Sequence, residues 1–220
     1  MKTSFKIKND KYFFFNDHKQ IFVSKNKPLF VYNKLHAKNI LKEINYQSKD
    51  QYSLKNLTIF SCALNSNDKN KIIKILLEFL NHDLILFRFF EDKNLQKLIS
   101  SNLDFYVNEF SKKFKIKLNL IDSFKSNSEN LFTKNFKHFL LDLNVFVLSC
   151  IYKLTCLTKS VILSYFFIFK KISYKKLFEL TNIESNFQQK KWGYVDEQKR
   201  VDVESISILK NISIFFKNIN

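Results

Sequence analysis

Few residues in this sequence have the types and spacing that catalysis requires. The four histidines, His18, His36, His82 and His138, form neither an HxxH nor an HExxH arrangement, so no metalloenzyme motif is present. His82 stands beside Asp83, but adjacent residues on a helix do not face each other and make a poor catalytic dyad. The 20 Asp and Glu residues include no pair arranged for acid–base work. We therefore predict a protein that is not an enzyme, without catalytic or metal-binding residues.

Glycine and cysteine usage argues against further kinds of site. The chain contains one glycine, Gly193, whereas phosphate-binding loops, dinucleotide-binding loops and the nucleophile elbow of hydrolases each need more than one. Three cysteines, Cys62, Cys150 and Cys156, are too few and too irregularly spaced for a disulfide framework or a zinc site. We expect buried cysteines without disulfides and no cofactor.

The composition is biased toward residues with A- and T-rich codons. Phe occurs 26 times among 220 residues, whereas Gly, Pro, Trp and Met occur once each. We interpret this bias, and most of the net charge of +17, as the effect of an AT-rich genome on a basic, solvated surface. Only Arg88 and Arg200 are arginines, although arginine is the preferred contact for phosphate and guanine. A basic nucleic-acid-binding module stays an alternative. It would be supported by binding to DNA or RNA whose affinity falls steeply as the salt concentration rises.

The most apolar stretch, residues 145–169, is too short to cross a membrane. Lys153 and Lys159 interrupt it, and its uncharged segment SVILSYFFIF has 10 residues, whereas a spanning helix needs about 20. We expect a buried core helix; a peripheral membrane protein that uses the Phe-rich helices is a third alternative. The first residues, MKTSFKIKNDKYFFF, resemble neither a signal peptide nor a transit peptide, which favours a bacterial cytoplasm over a mitochondrial matrix.

The elements that would position any site begin with short strands. Phe5 and Ile7 alternate with lysines at a period of two. Two strands are expected on either side of a turn at Asn16 and Asp17, and PLFVY continues as a further extended piece. Helical spacing covers residues 34–44.

From about residue 67 onward the pattern is helical. Ile72, Leu76 and Leu80 lie on one apolar stripe. Residues 115–121 alternate like one isolated strand, and residues 123–130 have the composition of a polar loop. Further helices are predicted at 95–114, 145–169, 174–191 and 197–216, the last with Val201, Ile208, Ile212 and Phe215 on one face.

This order of elements predicts an α+β fold with segregated parts. We place the boundary between the two parts near residue 66. Residues 1–66 then form an N-terminal β-rich domain, and residues 67–220 form a C-terminal orthogonal α-helical bundle. No internal repeat is visible.

The only tryptophan and the only glycine stand side by side in the segment FQQKKWGYVDE. Glu184, Gln188 and Trp192 are spaced four apart, so on a helix they share one stripe. Gly193 fits the position after a helix, where a left-handed residue ends it at low steric cost. Leu177, Leu180, Ile183 and Phe187 are expected to face the core. Two interpretations stay open: Trp192 fills the core and Gly193 only caps the helix, or the stripe binds a partner.

The segment IESNFQQKKWGYVDE resembles the C-terminal signature of the ATP synthase F₁ assembly chaperones that act on the alpha subunit, the ATP-twelve family. In this resemblance Glu184 corresponds to the acidic residue of the signature. Phe187 and Gln188 correspond to its aromatic–Gln pair, and Trp192 and Gly193 to its Trp–Gly pair. It implies that these five residues form the partner-binding site.

Three further segments resemble the same family. Near the N-terminus, NDHKQIFVSKNKPLFV resembles its strand, Asp-Gly turn, strand and Pro-Leu segment. FLNHDLILFR supplies Asp83, Leu84 and Arg88, and IYKLTCLTKSVILSYF supplies Leu154, Thr155, Thr158 and Ser160 as structural motif residues. The matches occur in order over roughly residues 10–200. Two departures stand out, because His18 and Lys159 occupy positions where the family has glycine. Gln20 and Ser24 stand where it has prolines.

The resemblance implies an assembly chaperone rather than an enzyme. Such a protein would bind the unassembled alpha subunit of F₁ and prevent its aggregation until the beta subunit joins. We expect it to act as a monomer, without ATP, metal, nucleic acid or a membrane span. It would work in the bacterial cytoplasm, or in the mitochondrial matrix if the host is eukaryotic.

Overall fold

The computed structural model describes residues 3–45, 50–122, 133–170 and 172–219. Strands come first and helices follow, which confirms the predicted α+β fold with an N-terminal sheet and a C-terminal helical part. The predicted polar loop at 123–130 lies outside the described residues. None of the described helices is long and apolar enough to span a membrane.

Six short strands form the N-terminal part. Antiparallel β1 and β2 form a hairpin, β3 and β6 both pair with β2, and β4 pairs with β5 in a separate two-stranded sheet. The strands are β1 Thr3–Lys8, β2 Lys11–Asn16, β3 Lys19–Gln20, β4 Phe22–Ser24, β5 Lys27–Pro28 and β6 Phe30–Val31.

Both tight hairpins of the larger sheet use left-handed turn residues. Asn9 and Asp10 have φ values of 50° and 56°, and Asp17 and His18 have φ values of 42° and 70°. Two consecutive residues with positive φ form the turn whose twist matches the flanking strands. Asn and Asp tolerate this conformation better than other non-glycine residues do. The predicted turn at Asn16 and Asp17 is therefore confirmed, shifted by one residue.

The helices occupy most of the rest of the chain, and a 3₁₀ turn spans Leu84–Leu86. They are α1 Lys34–Asn45, α2 Leu54–Ala63, α3 Ser66–Asn81, α4 Lys93–Phe114, α5 Lys134–Asp142, α6 Val145–Thr158, α7 Val161–Phe169, α8 Tyr174–Thr181, α9 Ile183–Trp192 and α10 Asp196–Ile219.

Two predicted helices are each broken into two. The stretch 145–169 contains α6 and α7, because Lys159 adopts a φ of 56° and the Ser160 hydroxyl accepts the Leu163 amide as an N-cap. The stretch 174–191 contains α8 and α9, which meet at Asn182 with φ −117° and ψ 22°. Apolar spacing cannot reveal such breaks, because the stripe continues across them.

The predicted strand at 115–121 is wrong. Lys115 caps α4 in a left-handed conformation, and the only pairing of this segment with described residues is one parallel bridge between Ile121 and Phe87. Alternation alone does not make a strand, since a ladder needs a neighbouring strand to pair with. The predicted apolar face of α10 is also wrong at one end, because Val201 is 49% exposed.

Contacts divide the chain into two compact units. One comprises Met1–Asn70, Asn144–Cys150 and Ile208–Asn220, and the other comprises Lys71–Leu143 and Ile151–Ser207. A unit defined by contacts is not a test of independent folding, so the domain boundary near residue 66 stays a prediction.

The first unit contains a buried histidine that must stay neutral. His36 is fully buried, with Nε2 3.0 Å from the Thr58 hydroxyl and its ring edge-on to Phe215. Burial lowers the pKa of His36 to about 4. The stability that this shift provides is therefore present above the ordinary histidine value and is lost as the pH falls through about 4.

We expect His36→Gln to reduce the acid sensitivity of folding. Between pH 7.5 and 4.5 the wild type should lose roughly 2 kcal/mol more unfolding free energy than the variant, because only the histidine gains a proton on unfolding. Urea unfolding followed by circular dichroism at both pH values measures this difference. His138 is exposed, so His138→Gln serves as the control. Equal losses in wild type and His36→Gln would refute a neutral buried imidazole.

Candidate functional site

The stripe Glu184, Gln188, Trp192 lies on an exposed face of α9. All three side chains are exposed, and Trp192 is 73% exposed. The Gln188 amide donates a hydrogen bond of 3.2 Å to the Glu184 carboxylate one turn away. Trp192 therefore does not fill the core. An indole held in water at this exposure is unusual for a residue that serves packing alone.

The face of α9 next to the stripe is only partly buried. Leu177 and Leu180 of α8 are buried as predicted, but Ile183 and Phe187 of α9 are half-buried. The break at Asn182 explains the difference, because it ends the stripe that Leu177 and Leu180 begin. Ile183 and Phe187 instead line an open cavity of about 190 Å³ together with residues of α4 and α8, including Leu98, Asn102, Lys176 and Leu180.

Gly193 ends α9 in a conformation that suits glycine. Its φ is 95° and its ψ is 164°, and its amide donates to the Gln189 carbonyl at 2.9 Å. The predicted positive φ is confirmed, but the residue is extended rather than left-handed helical. A Cβ atom at Gly193 would meet nothing within 4 Å. Backbone conformation, not lack of space, therefore favours glycine here.

An ion pair connects the end of α9 to the start of α4. The Lys191 ammonium lies 3.3 Å from an Asp92 carboxylate oxygen and 5.4 Å from the centre of the Trp192 ring. Asp92 caps α4 by accepting from the Asn94 and Leu95 amides, and these bonds together with Lys191 lower its pKa. Sequence reasoning missed this pair because the partners are 99 residues apart, although an Asp before a helical pattern is an N-cap signal.

The motif residue Asp83 is a fully buried carboxylate within a hydrogen-bond network. Its oxygens accept from the Ile85 amide at 3.2 Å and from the Ile162 amide at 3.0 Å. Burial raises the pKa of Asp83 to about 6, while bonds from the Ser160 hydroxyl and from these amides oppose the shift. Asp83 is thus a connector between two segments 79 residues apart, not half of a dyad with His82.

The motif residues of α6 and α7 form the other half of this network. The Thr158 hydroxyl lies 2.8 Å from the Leu154 carbonyl, and the Thr155 hydroxyl donates to Ser164 at 3.3 Å. The Ser164 hydroxyl in turn donates to the Ser160 carbonyl at 2.7 Å. Thr155, Thr158, Ser160 and Ser164 are all buried. The structure therefore brings together Asp83 and three motif residues; Ser164 was missed, because nothing in the sequence sets it apart from other serines.

Leu84 and Leu154 support the same junction differently. The Leu84 amide donates to the Lys159 carbonyl at 3.0 Å, while its side chain is partly exposed. Leu154 is fully buried in the core. Their roles are backbone pairing and packing.

Arg88 anchors the segment after the 3₁₀ turn. Its guanidinium lies 2.7 Å from the Asp104 carboxylate and donates to the Ile85 carbonyl at 2.6 Å and the Phe87 carbonyl at 2.9 Å. The Arg88 side chain is only 9% exposed. Lysine could not make this set of contacts, because it lacks the planar fork of donors. Arg88 is therefore a structural arginine.

The fold of this chain matches the folds of proteins whose structures have been solved. Atp12 from Paracoccus denitrificans matches with a TM-score of 0.83 and 14% identity over 100% of this chain and 97% of that one. A point mutant of the same protein gives a TM-score of 0.85 with 14% identity, over 100% and 96%. This chain has the Atp12 fold. The structure of a candidate chaperone from Agrobacterium tumefaciens matches this chain with a TM-score of 0.86 and 13% identity, over 99% of this chain and 84% of that one.

The Atp12 likeness is one of structure. No protein-family model and no curated protein matches the sequence. Among the residues that the structure describes, no group of three or more His, Cys, Asp or Glu side chains could hold a metal ion. Two features of this structure are candidates for function. One is the exposed stripe of Glu184, Gln188 and Trp192, which we call the α9 stripe. The other is the buried network that joins the 3₁₀ turn to the start of α7.

The two departures from the ATP-twelve pattern at glycine positions both fall on left-handed residues. His18 has a φ of 70° and Lys159 a φ of 56°, a conformation that costs most non-glycine residues about 1–2 kcal/mol. The resembling family has glycine at both positions. The left-handed turns at His18 and Lys159 thus form here without the residue that suits them best.

Replacing Lys159 with glycine is expected to stabilise the protein by roughly 0.5–1 kcal/mol, because the relief of left-handed strain exceeds the entropy that glycine adds to the unfolded chain. Lys159 is exposed, so the change removes no packing. Urea unfolding measures the gain. Lys97 is exposed within α4, so Lys97→Gly should instead destabilise by about 1 kcal/mol. A loss at both positions would contradict the strain argument.

Proposed function

We propose that this protein is an assembly chaperone for the F₁ sector of ATP synthase. It binds the unassembled alpha subunit and prevents its aggregation until the beta subunit joins. The observation that carries the proposal is the Atp12 fold over the whole chain. The resembling segments around Asp83, Leu154 and Trp192 support it, because they fall on one buried network, one structural arginine and one exposed stripe.

The α9 stripe has the properties that client binding requires. An unassembled subunit exposes apolar surface intended for its neighbours, and such surface aggregates. Trp192 offers a large exposed anchor, and tryptophan is enriched among residues that dominate interfaces. Glu184 is an exposed carboxylate on a chain of net charge +17, so it suits an Arg or Lys of the client.

The remaining site residues shape this surface rather than extend it. Gln188 orients the Glu184 carboxylate through their hydrogen bond. Phe187 lines the adjacent cavity, which has room for an apolar side chain of the client. Gly193 turns the chain at the end of α9, which places Trp192 at the last helical position.

Release is as important to a chaperone as binding. A face built on one short helix with few anchors gives a modest interface, which favours exchange with the beta subunit. We propose that the protein acts as a monomer, without catalysis, ATP or metal. Its place would be the compartment in which the alpha subunit awaits assembly, the bacterial cytoplasm or, in a eukaryote, the mitochondrial matrix.

The direct test is capture of separately expressed F₁ alpha and beta subunits from the same organism by the purified protein. We expect selective capture of alpha and suppression of its aggregation, measured by light scattering. Addition of beta should release the captured alpha. Capture of neither subunit would refute the proposal. Salt-sensitive retention of DNA or RNA in its place would favour the nucleic-acid alternative.

A further inference from the structure

The outer face of the larger N-terminal sheet carries lysines and aromatic rings in a regular order. Lys6 pairs with Phe13 and Lys8 pairs with Lys11 across β1 and β2. Because side chains alternate along a strand, these residues share one face. Phe14 points to the other face and is fully buried. The face with the lysines is therefore the one turned away from the core.

An open groove of about 550 Å³ lies on this face, which we call the β1 groove. Among the described residues its lining contains cations, apolar side chains and amides, but no carboxylate. A positive groove with an apolar floor selects an anionic occupant that also carries apolar groups. The charged and apolar residues of the β1 groove are Lys6, Ile7, Lys8, Lys11, Phe13 and Phe15.

The β1 groove reaches the edge of the sheet. Lys6, Ile7 and Lys8 all line it, although successive side chains alternate between the two faces of a strand. Among the described strands, only β2 pairs with β1. Ile7 is 62% exposed beside this edge. The edge of a strand presents backbone donors and acceptors on which a further extended chain can pair.

We propose that the β1 groove binds an acidic, extended segment of a partner protein by strand addition along β1. Hydrogen bonds between the backbone of the segment and the backbone of β1 would fix which residues of the two strands lie opposite each other. With a period of two, one set of side chains in the segment would place carboxylates against the Lys6, Lys8 and Lys11 ammonium groups. Apolar side chains at the alternate positions of the segment would pack on Ile7, which is exposed beside this edge.

The geometry favours a polypeptide over a nucleic acid or a membrane. The Lys6 ammonium lies over the Phe15 ring at 5.3 Å, and the Lys11 ammonium lies over the Phe30 ring at 4.6 Å. A cation thus already lies over Phe15, one of the two rings that line the groove, and it hinders the stacking of a base there. A flat membrane surface does not follow the floor of a groove, whereas an extended chain does.

This inference rests on the proposed function, because the chaperone's client would supply the segment. The β1 groove shares no residue with the α9 stripe. Loss of one contact surface can therefore be measured separately from loss of the other.

The test is a variant with Lys6→Gln, Lys8→Gln and Lys11→Gln, compared with wild type for binding of the F₁ alpha subunit. We expect the Kd to rise at least fivefold at low salt, and its salt dependence to become weaker, because three cations are removed. The control is Lys112→Gln, Lys113→Gln, Lys117→Gln, which removes the same charge from exposed positions of the other unit. Circular dichroism checks the fold of each variant.

Hydrogen exchange of the wild-type complex gives a second measurement that needs no variant. Amides of β1 (Thr3–Lys8) should exchange more slowly when the alpha subunit is bound. Capture of alpha with unchanged β1 exchange, or with equal affinity in both triple variants, would overturn this inference and leave the proposed function intact. No capture by wild type would overturn both. Lysine-dependent binding of an oligothymidylate in place of alpha would assign the groove to nucleic acid and overturn the inference.

Discussion

Replacing Asp83 with alanine is expected to lower the free energy of unfolding by roughly 3 kcal/mol, since it leaves buried amides without an acceptor and removes the cap of the 3₁₀ turn. The amides concerned belong to Ile85 and Ile162, which lie in segments far apart in the sequence. Asp83→Asn should lose about half as much, because an amide side chain has one acceptor oxygen in place of two. Urea unfolding followed by circular dichroism measures both losses.

The effect of Asp83→Ala should also depend on pH in a defined direction. The pKa of Asp83 is raised to about 6 in the folded protein, so the folded state binds the proton more tightly than the unfolded state. The contribution of this shift to stability is fully present below the ordinary Asp value and is lost as the pH rises through about 6. The loss caused by Asp83→Ala should therefore be larger at pH 5 than at pH 7.5.

A matched substitution separates this effect from the loss of any carboxylate. Asp142 is exposed at the end of α5, so Asp142→Ala should change the unfolding free energy by less than about 0.5 kcal/mol at either pH. If Asp83→Ala behaved like Asp142→Ala, the buried network would not stabilise the junction between the 3₁₀ turn and α7.

Replacing Trp192 with alanine is expected to weaken capture of the F₁ alpha subunit at least tenfold without lowering Tm. The indole is 73% exposed, so its removal costs the free protein little packing, whereas loss of an interface anchor costs about 2 kcal/mol or more of binding free energy. Glu184→Lys should act in the same direction, because it reverses the charge offered to a basic client residue. Titration of labelled alpha subunit measures the Kd values.

Two controls match these substitutions. Leu35 is 60% exposed on α1, so Leu35→Ala removes an exposed apolar side chain from a different surface. Glu204 is exposed on α10, so Glu204→Lys makes the same charge change elsewhere. Both controls should bind like wild type. Undiminished binding by Trp192→Ala and Glu184→Lys would exclude the α9 stripe as the client site.

The sequence alone determined the order of the elements and the helix face that Glu184, Gln188 and Trp192 share. Period-two alternation from Phe5 and helical spacing from Ile72 depend only on local geometry, so they predicted an α+β fold correctly. The spacing of Glu184, Gln188 and Trp192 placed them on one face for the same reason. The prediction of a positive φ at Gly193 also held, since few other residues adopt that conformation at low cost.

Only the tertiary structure showed that Trp192 does not fill the core and which groups the motif residues contact. Burial depends on neighbours that are distant in sequence, so spacing could not show that Trp192 faces water while Phe187 lines a cavity. The same reason hid the bond from the Ile162 amide to Asp83, which joins segments 79 residues apart. Local patterns fix the face of a helix, whereas long-range contacts determine what that face meets.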